Sequence, residues 1–190
     1  MKRIFLMLVM SAAVLCMAPE LLPAQTAKVD SVAVDDDIDP KLRFYKEKYE
    51  ASYANTTLEL VFKAIKKMLA DQNTLIANEK NKQDDNGLFT GSIKSDFIII
   101  AEGDTAAEIT KPYSLDFPYI PAGAWRTGRI QYRFVVKETN DNKVNLTLFS
   151  EMSGFESYVT RKVHFWKSNG ILETKLLEKL AGIIESMKKK

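Results

Sequence analysis

The sequence is poor in residues that bind metals or attack substrates. Its 190 residues include one cysteine, Cys16, and one histidine, His164. A thiolate or imidazole metal site needs several such ligands together, and a disulfide needs two cysteines. No serine lies in a G-x-S-x-G turn, and the isolated glycines form no phosphate-binding loop. The sequence therefore predicts no metal, no cofactor, no disulfide and no catalytic residues.

An excess of either charge is also missing. The 27 Lys and Arg residues nearly balance the 25 Asp and Glu residues, which leaves a net charge of +2. A nucleic-acid-binding domain usually carries a broad basic surface, so we expect no nucleic acid partner. No second long apolar run follows the N-terminal one, so we expect nothing after it to span a membrane.

The N-terminal segment has the order of a secretory signal peptide. Two basic residues precede an apolar run over residues 4–17, and small residues follow at Ala24 and Ala27. This order predicts a signal peptide over residues 1–24 and a mature chain that starts at Gln25, with cleavage after Ala27 as the alternative. We therefore expect a periplasmic or otherwise exported protein of the cell envelope.

Lipid attachment at Cys16 is a second interpretation of the same segment. The bulky Leu15 stands where a lipoprotein signal would carry Gly or Ala, so the sequence disfavours a lipoprotein. Membrane association is expected only if Cys16 is lipidated.

Residues 25–41 are small and acidic, which is typical of a flexible leader, and residues 42–190 are predicted to form one α+β domain. Its first strand is expected over residues 46–53, with a helix over residues 41–50 as the alternative. A helix should follow, with Thr56 and Glu59 as a capping box. Its apolar face is predicted to contain Leu58, Val61, Phe62, Ile65, Met68 and Leu69.

The middle of the chain reads as antiparallel strands. Residues 88–103 should return as one strand, with residues 97–100 as its buried run, and a long loop is expected from 103 to 127. The alternation of Ile130, Tyr132 and Phe134 and the turn at residues 140–142 predict a hairpin. A further strand is expected near His164. The C-terminal helix should bury Leu172, Leu176, Leu177, Leu180, Ile183, Ile184 and Met187.

These elements predict an antiparallel twisted sheet packed against a long C-terminal helix and one N-terminal helix. The capped helix, the stretches DNGLFTG and WRTGRIQYRF, and the final SNGILETKLLEKL resemble the helix-grip domains of BamC-like envelope (lipo)proteins. The resemblance covers about residues 46–187 and implies a helix-grip fold with a role in outer-membrane protein assembly. The family has no catalytic signature to transfer.

A non-enzymatic envelope protein is therefore the expected function, either as a protein-interaction module or as an accessory to outer-membrane assembly. A periplasmic carrier of an apolar ligand or lipid is the alternative, and a hydrolase is the third. A filled core under Leu176, Leu180 and Ile184 would favour the interaction module, and an elongated apolar pocket would favour the carrier. A hydrolase would need convergent carboxylates, such as Glu102 with Asp104.

The aromatic, proline-containing loop before the hairpin holds the candidate binding residues. Tyr, Trp and Arg are the residue types that dominate protein interfaces, and prolines reduce the entropy lost on binding. The alternative is that these side chains fold back over the sheet as a lid. The candidate residues are Phe117, Tyr119, Ile120, Trp125, Arg126 and Arg129.

Overall fold

The computed structural model describes residues 42–85 and 87–189; the predicted signal peptide and leader lie outside them. The described residues confirm the predicted α+β layout of an antiparallel sheet with an N-terminal and a C-terminal helix. In chain order the elements are β1 (Tyr49–Ala54), α1 (Leu58–Ala70), β2 (Ile76–Gln83), β3 (Phe89–Ser95), β4 (Ile98–Glu102), α2 (Ala106–Thr110), a 3₁₀ helix (Lys111–Tyr113), β5 (Thr127–Thr139), β6 (Lys143–Glu156), β7 (Lys162–Trp166) and α3 (Ile171–Lys188).

The long β5–β6 hairpin is the centre of the sheet. One half of the hairpin belongs to the path β1-β6-β5-β3-β2, and the other half pairs with β7 on the β6 side and with β4 on the β5 side. Every pairing among these strands is antiparallel. The sheet therefore has two halves that share only the hairpin.

The inner face of the hairpin forms the core. Phe134 lies opposite Leu148 and Val136 lies opposite Leu146, and all four side chains are buried. Because side chains alternate along a strand, the intervening residues face away from the helices. The predicted hairpin is thus confirmed, and helices α1 and α3 pack on each other over this inner face.

Helix α1 buries the apolar face that the sequence predicts, but its cap is different. Thr57, not Thr56, is the N-cap, and its hydroxyl accepts from the Leu60 N–H at 3.3 Å. The Glu138 carboxylate accepts from the Leu58 N–H at 2.9 Å. The predicted capping box is therefore wrong, because a strand residue distant in sequence satisfies the first turn.

Helix α3 begins after a turn that requires glycine. Gly170 has φ +93°, and a Cβ there would lie 2.0 Å from the Phe44 carbonyl oxygen. The helix buries Leu176, Leu177, Leu180 and Ile184, while the predicted Leu172, Ile183 and Met187 are only partly buried.

The predicted strand over residues 88–103 is two strands. The Ser95 hydroxyl accepts from the Tyr132 N–H at 3.0 Å, and the Gln131 amide donates to the Ser95 carbonyl at 2.9 Å. These side-chain bonds replace strand pairing and separate β3 from β4. Residues 97–100 are not the predicted buried run, since Ile99 is 59% exposed on a strand that is covered on one face only.

Two further boundaries differ from the prediction. Strand β1 starts at Tyr49 rather than at residue 46, because the chain before it turns so that the Tyr49 hydroxyl donates to the Phe44 carbonyl. The predicted loop over residues 103–127 contains α2 and the 3₁₀ helix. Buried Ala106 and Thr110 hold α2 against the sheet, so this half of the loop is ordered by packing.

Candidate functional site

The loop between α2 and β5 turns two of its aromatic rings inward. Trp125 is 7% exposed, and its ring centre lies 4.9 Å from that of Phe117 and 5.6 Å from that of Trp166. Phe117 also meets Trp166 edge-on at 5.0 Å. Tilted and edge-on aromatic pairs of this kind add stability beyond their buried area. For these two candidate residues the geometry is that of a lid packed on the sheet.

The other candidate residues lie outside this group of rings, although Ile120 packs against the core beside it. Tyr119 is 89% exposed, Ile120 is half-buried, and Arg126 is exposed beside Asp104, with which it forms an ion pair. Arg129 lies on the outer face of β5, where its guanidinium carbon sits 4.4 Å from the centre of the Phe97 ring. The structure therefore distributes the six residues between the core, the loop surface and the outer face of the sheet.

A buried carboxylate, Glu156, fixes the loop and the turn between β6 and β7. Its Oε1 accepts from the N–H groups of Ala124 at 2.9 Å and of Tyr158 at 2.7 Å. Burial alone would raise the pKa of Glu156. The backbone N–H donors from Thr160, Val159, Ala124 and Tyr158 outweigh burial and hold the pKa well below its usual range.

The single histidine takes part in the same hydrogen-bond network. The Thr160 hydroxyl donates to Glu156 Oε2 at 2.8 Å and lies 2.7 Å from His164 Nε2. Since the hydroxyl has one proton and directs it to the carboxylate, His164 donates through Nε2–H. The imidazole also stacks edge-on against Trp125 at 5.4 Å. These contacts give His164 a structural role in the turn.

A second buried carboxyl, Glu173, lies in the first turn of α3. It is fully buried, and its Oε2 accepts from the Ser168 hydroxyl at 2.9 Å. Oε1 has no partner of hydrogen-bond geometry among the described residues, although the nearby Ser150 hydroxyl acts to lower the pKa. Burial is the larger effect and raises the pKa of Glu173. Burial and the Glu173 charge also raise the pKa of the neighbouring Tyr132 well above its usual value.

An apolar groove runs between α3 and the half of the sheet that contains β4. Its volume is about 580 Å³. The floor consists of isoleucines from β4 and β5, and the first two turns of α3 form one wall. Its lining residues are Gln72, Ile98, Ile100, Ile109, Tyr113, Ile130, Tyr132, Leu172, Lys175, Leu176 and Lys179.

Among the described residues that line this groove, the only charged ones are two lysines. Lys175 and Lys179 are exposed, lie one helical turn apart, and form no ion pair within the described part of the chain. Gln72 Oε1 is buried and, among residues 42–85 and 87–189, has no hydrogen-bond partner. An apolar cleft with a small number of oriented polar groups is the usual form of a small-molecule site.

The core beside the groove is filled. Leu180 and Ile184 are fully buried and Leu176 is 5% exposed, so the groove lies along the first two turns of α3 and does not continue under the rest of the helix. A filled core would favour the interaction module and an apolar pocket would favour the carrier. Both features are present, in different parts of the helix interface.

Within the described ranges no three or more His, Cys, Asp or Glu side chains are grouped so that they could hold a metal ion. The carboxylates considered for hydrolysis, Glu102 and Asp104, are exposed. Among the helices in the described part of the chain, none has the length and apolarity needed to span a bilayer.

The sequence pattern contained a signal for both buried carboxyls. Glu173 precedes Leu176, Leu177 and Leu180 by three, four and seven residues, which places it on the apolar face of α3. Glu156 continues the alternation of the inward-facing residues of β6. A charged residue on a predicted apolar face indicates a buried, hydrogen-bonded group.

No protein-family model matches the chain, and neither the curated proteins nor the solved structures contain a match to it. The resemblance to BamC-like envelope proteins therefore stays a prediction.

Proposed function

We propose that the chain is an exported, non-enzymatic binding protein of the cell envelope whose groove takes an amphipathic molecule with an acidic headgroup. The observation that carries the proposal is the groove beside α3, with its isoleucine floor and its two lysines at one wall. Its volume lies within the range of about 300–1,000 Å³ typical of ligand sites.

Charge and polarity favour an anionic amphiphile over a neutral hydrocarbon. Lys175 and Lys179 lie beside each other on the solvent side of the groove, where they would contact a carboxylate or phosphate without leaving water. The apolar chain of the same molecule would cover Ile98, Ile100 and Leu172, which are half-buried and would lose their remaining contact with water.

The experiment is a titration of the protein with a fluorescent fatty acid. Ile109 is 46% exposed and lines the groove, so Ile109→Trp should block it without removing core contacts. We expect that variant to weaken binding at least about tenfold, since each 1.4 kcal/mol of lost apolar contact is a factor of ten.

A charge reversal tests the headgroup. Lys175→Glu with Lys179→Glu should weaken binding of the fatty acid more than that of its uncharged methyl ester, whereas Lys137→Glu, on the outer face of β5, should change neither. Equal affinity of the wild type and the Ile109→Trp variant would refute the groove as the site.

A protein-binding or outer-membrane assembly module is the second candidate, and the outer face of the sheet favours it. In register across four strands lie Ile99, Arg129, Ser153 and Phe165. Ile99 and Phe165 are 59% and 57% exposed on either side of Arg129, which is one of the residue types enriched at interface hot spots. Saturable ligand binding by the groove, with no change in the binding of protein partners, would favour the first candidate over this one.

A further inference from the structure

The turn between β6 and β7 holds two apolar side chains out in the solvent. Tyr158 is 67% exposed and Val159 is 51% exposed, although they are adjacent in sequence. Isolated exposed apolar residues are normal on protein surfaces, but an adjacent pair at the tip of a turn needs a reason.

The backbone under these side chains is unusually well fixed. Four successive N–H groups, those of residues 158–161, donate to the Glu156 carboxylate, and the Thr160 hydroxyl donates to it as well. The same carboxylate accepts from the Ala124 N–H, which ties the turn to the neighbouring loop. The tip therefore cannot fold back to bury Tyr158 and Val159 without breaking several bonds to a buried charge.

The residues that follow are basic. Arg161 and Lys162 are both exposed, and neither forms an ion pair with any residue that the structure describes. The one acidic group of the turn, Glu156, is fully buried and surrounded by its own donors. The solvent-facing part of the tip thus combines two apolar side chains with two uncompensated positive charges.

We propose that this turn is a contact site for an anionic lipid surface. A stable protein interface takes about 800 Å² from each partner, which is more than the two side chains of this turn can supply. Peripheral binding to a bilayer requires a smaller contact area. Tyrosine is favoured at the membrane–water interface, and basic residues near an anionic leaflet add attraction. The rigid backbone lowers the entropy lost when the tip enters the headgroup region.

This contact is independent of the groove and of lipid attachment at Cys16. Strand β7 pairs with β6 at one edge of the sheet, whereas the groove is lined by β4, β5 and α3. Binding through the turn would be peripheral and reversible, as is usual for a site that inserts only a few side chains.

The test uses the chain from Gln25, which contains every described helix and strand, in flotation with lipid vesicles. We expect it to float with vesicles that contain phosphatidylglycerol, to bind much less to pure phosphatidylcholine, and to dissociate at high salt. Tyr158→Ser with Val159→Ser should lower the partition coefficient at least about tenfold. Arg161→Gln and Lys162→Gln should each lower it about fivefold.

The control variant is Leu75→Ser. Leu75 is 75% exposed and directly precedes β2, the strand at the opposite edge of the sheet, so its loss should leave vesicle binding unchanged. Far-UV circular dichroism checks that each variant stays folded. The proposal is refuted if the folded wild type does not bind anionic vesicles, or if the Tyr158→Ser, Val159→Ser variant binds them as well as the wild type. If the Tyr158→Ser, Val159→Ser variant still binds vesicles but no longer binds a protein partner of the wild type, the turn is a protein contact. That outcome would likewise refute the proposal.

Discussion

Replacing Trp125 with alanine tests whether the loop between β4 and β5 is held to the sheet by its aromatic rings. Trp125 is 7% exposed and contacts Phe117, Trp166 and His164 at ring-centre distances of 4.9, 5.6 and 5.4 Å. Replacing a buried aromatic residue with alanine costs about 3–5 kcal/mol of unfolding free energy. We expect a loss in that range, because the ring is almost fully buried against other rings and its removal leaves a cavity.

The assay is a urea melt followed by far-UV circular dichroism, since removing a tryptophan changes the fluorescence itself. With a slope of about 2 kcal/mol per molar urea, a loss of about 4 kcal/mol lowers the midpoint by about 2 M. Such a loss is a large part of the roughly 5–15 kcal/mol that stabilises a typical domain. The matched control is Tyr119→Ala in the same loop, which is 89% exposed and should change the free energy by less than about 0.5 kcal/mol.

A double-mutant cycle separates the ring contact from general loop damage. Trp125→Ala and Phe117→Ala should show a coupling free energy of about 0.5–1.5 kcal/mol, because each removes the partner of the other. If Trp125→Ala costs no more than Tyr119→Ala, the ring does not hold the loop, and the assignment of Trp125 to the core is refuted.

Two further predictions concern the helix faces and the buried carboxyls. Phe62→Ala and Leu180→Ala should each lower the unfolding free energy by about 2–5 kcal/mol in the same melts. Exposed Lys66→Ala should lower it by less than about 1 kcal/mol. Equal losses for all three variants would contradict the assigned helix faces. The pKa of Glu173 is raised in the fold, so its contribution to stability is present below the ordinary value of 4.5 and is lost as pH rises through the folded value. The pKa of Glu156 is lowered, so its contribution is present above 4.5 and is lost as pH falls. Melts across pH should therefore show that Glu173→Gln weakens the pH dependence of the unfolding free energy above pH 4.5, and that Glu156→Gln weakens it below pH 4.5. The opposite result would refute both pKa directions.

The elements that the sequence predicted correctly are those in which burial repeats with the period of the backbone. Ile130, Tyr132 and Phe134 alternate along β5, and Phe62 and Ile65 recur at the helical period along α1. In both cases the apolar face of the element is the face that packs on the core, so a local pattern is sufficient to identify it.

The cap of α1 shows what a local pattern cannot supply. Thr56 and Thr57 are adjacent and equally able to cap a helix, so the sequence does not distinguish them. Glu138 fixes the start of the helix at Leu58. Its carboxylate accepts from the Leu58 N–H at 2.9 Å and from the Phe89 N–H at 3.1 Å. That contact exists only after β5 has paired with β3 and brought Glu138 to the first turn of the helix.

The groove depends on the same kind of distant contact. Hydrogen bonds from Tyr132 and Gln131 to Ser95 separate β3 from β4, so β4 pairs with the opposite end of β5. Helix α1 packs against β3, β5 and α3, whereas β4, besides pairing with β5, packs against the short α2. Ile98 and Ile100 are therefore only half-buried beneath the first turns of α3, and the groove is the space that remains. The residues that line it extend from Gln72 to Lys179, and no single stretch of sequence contains enough of them to predict a binding site.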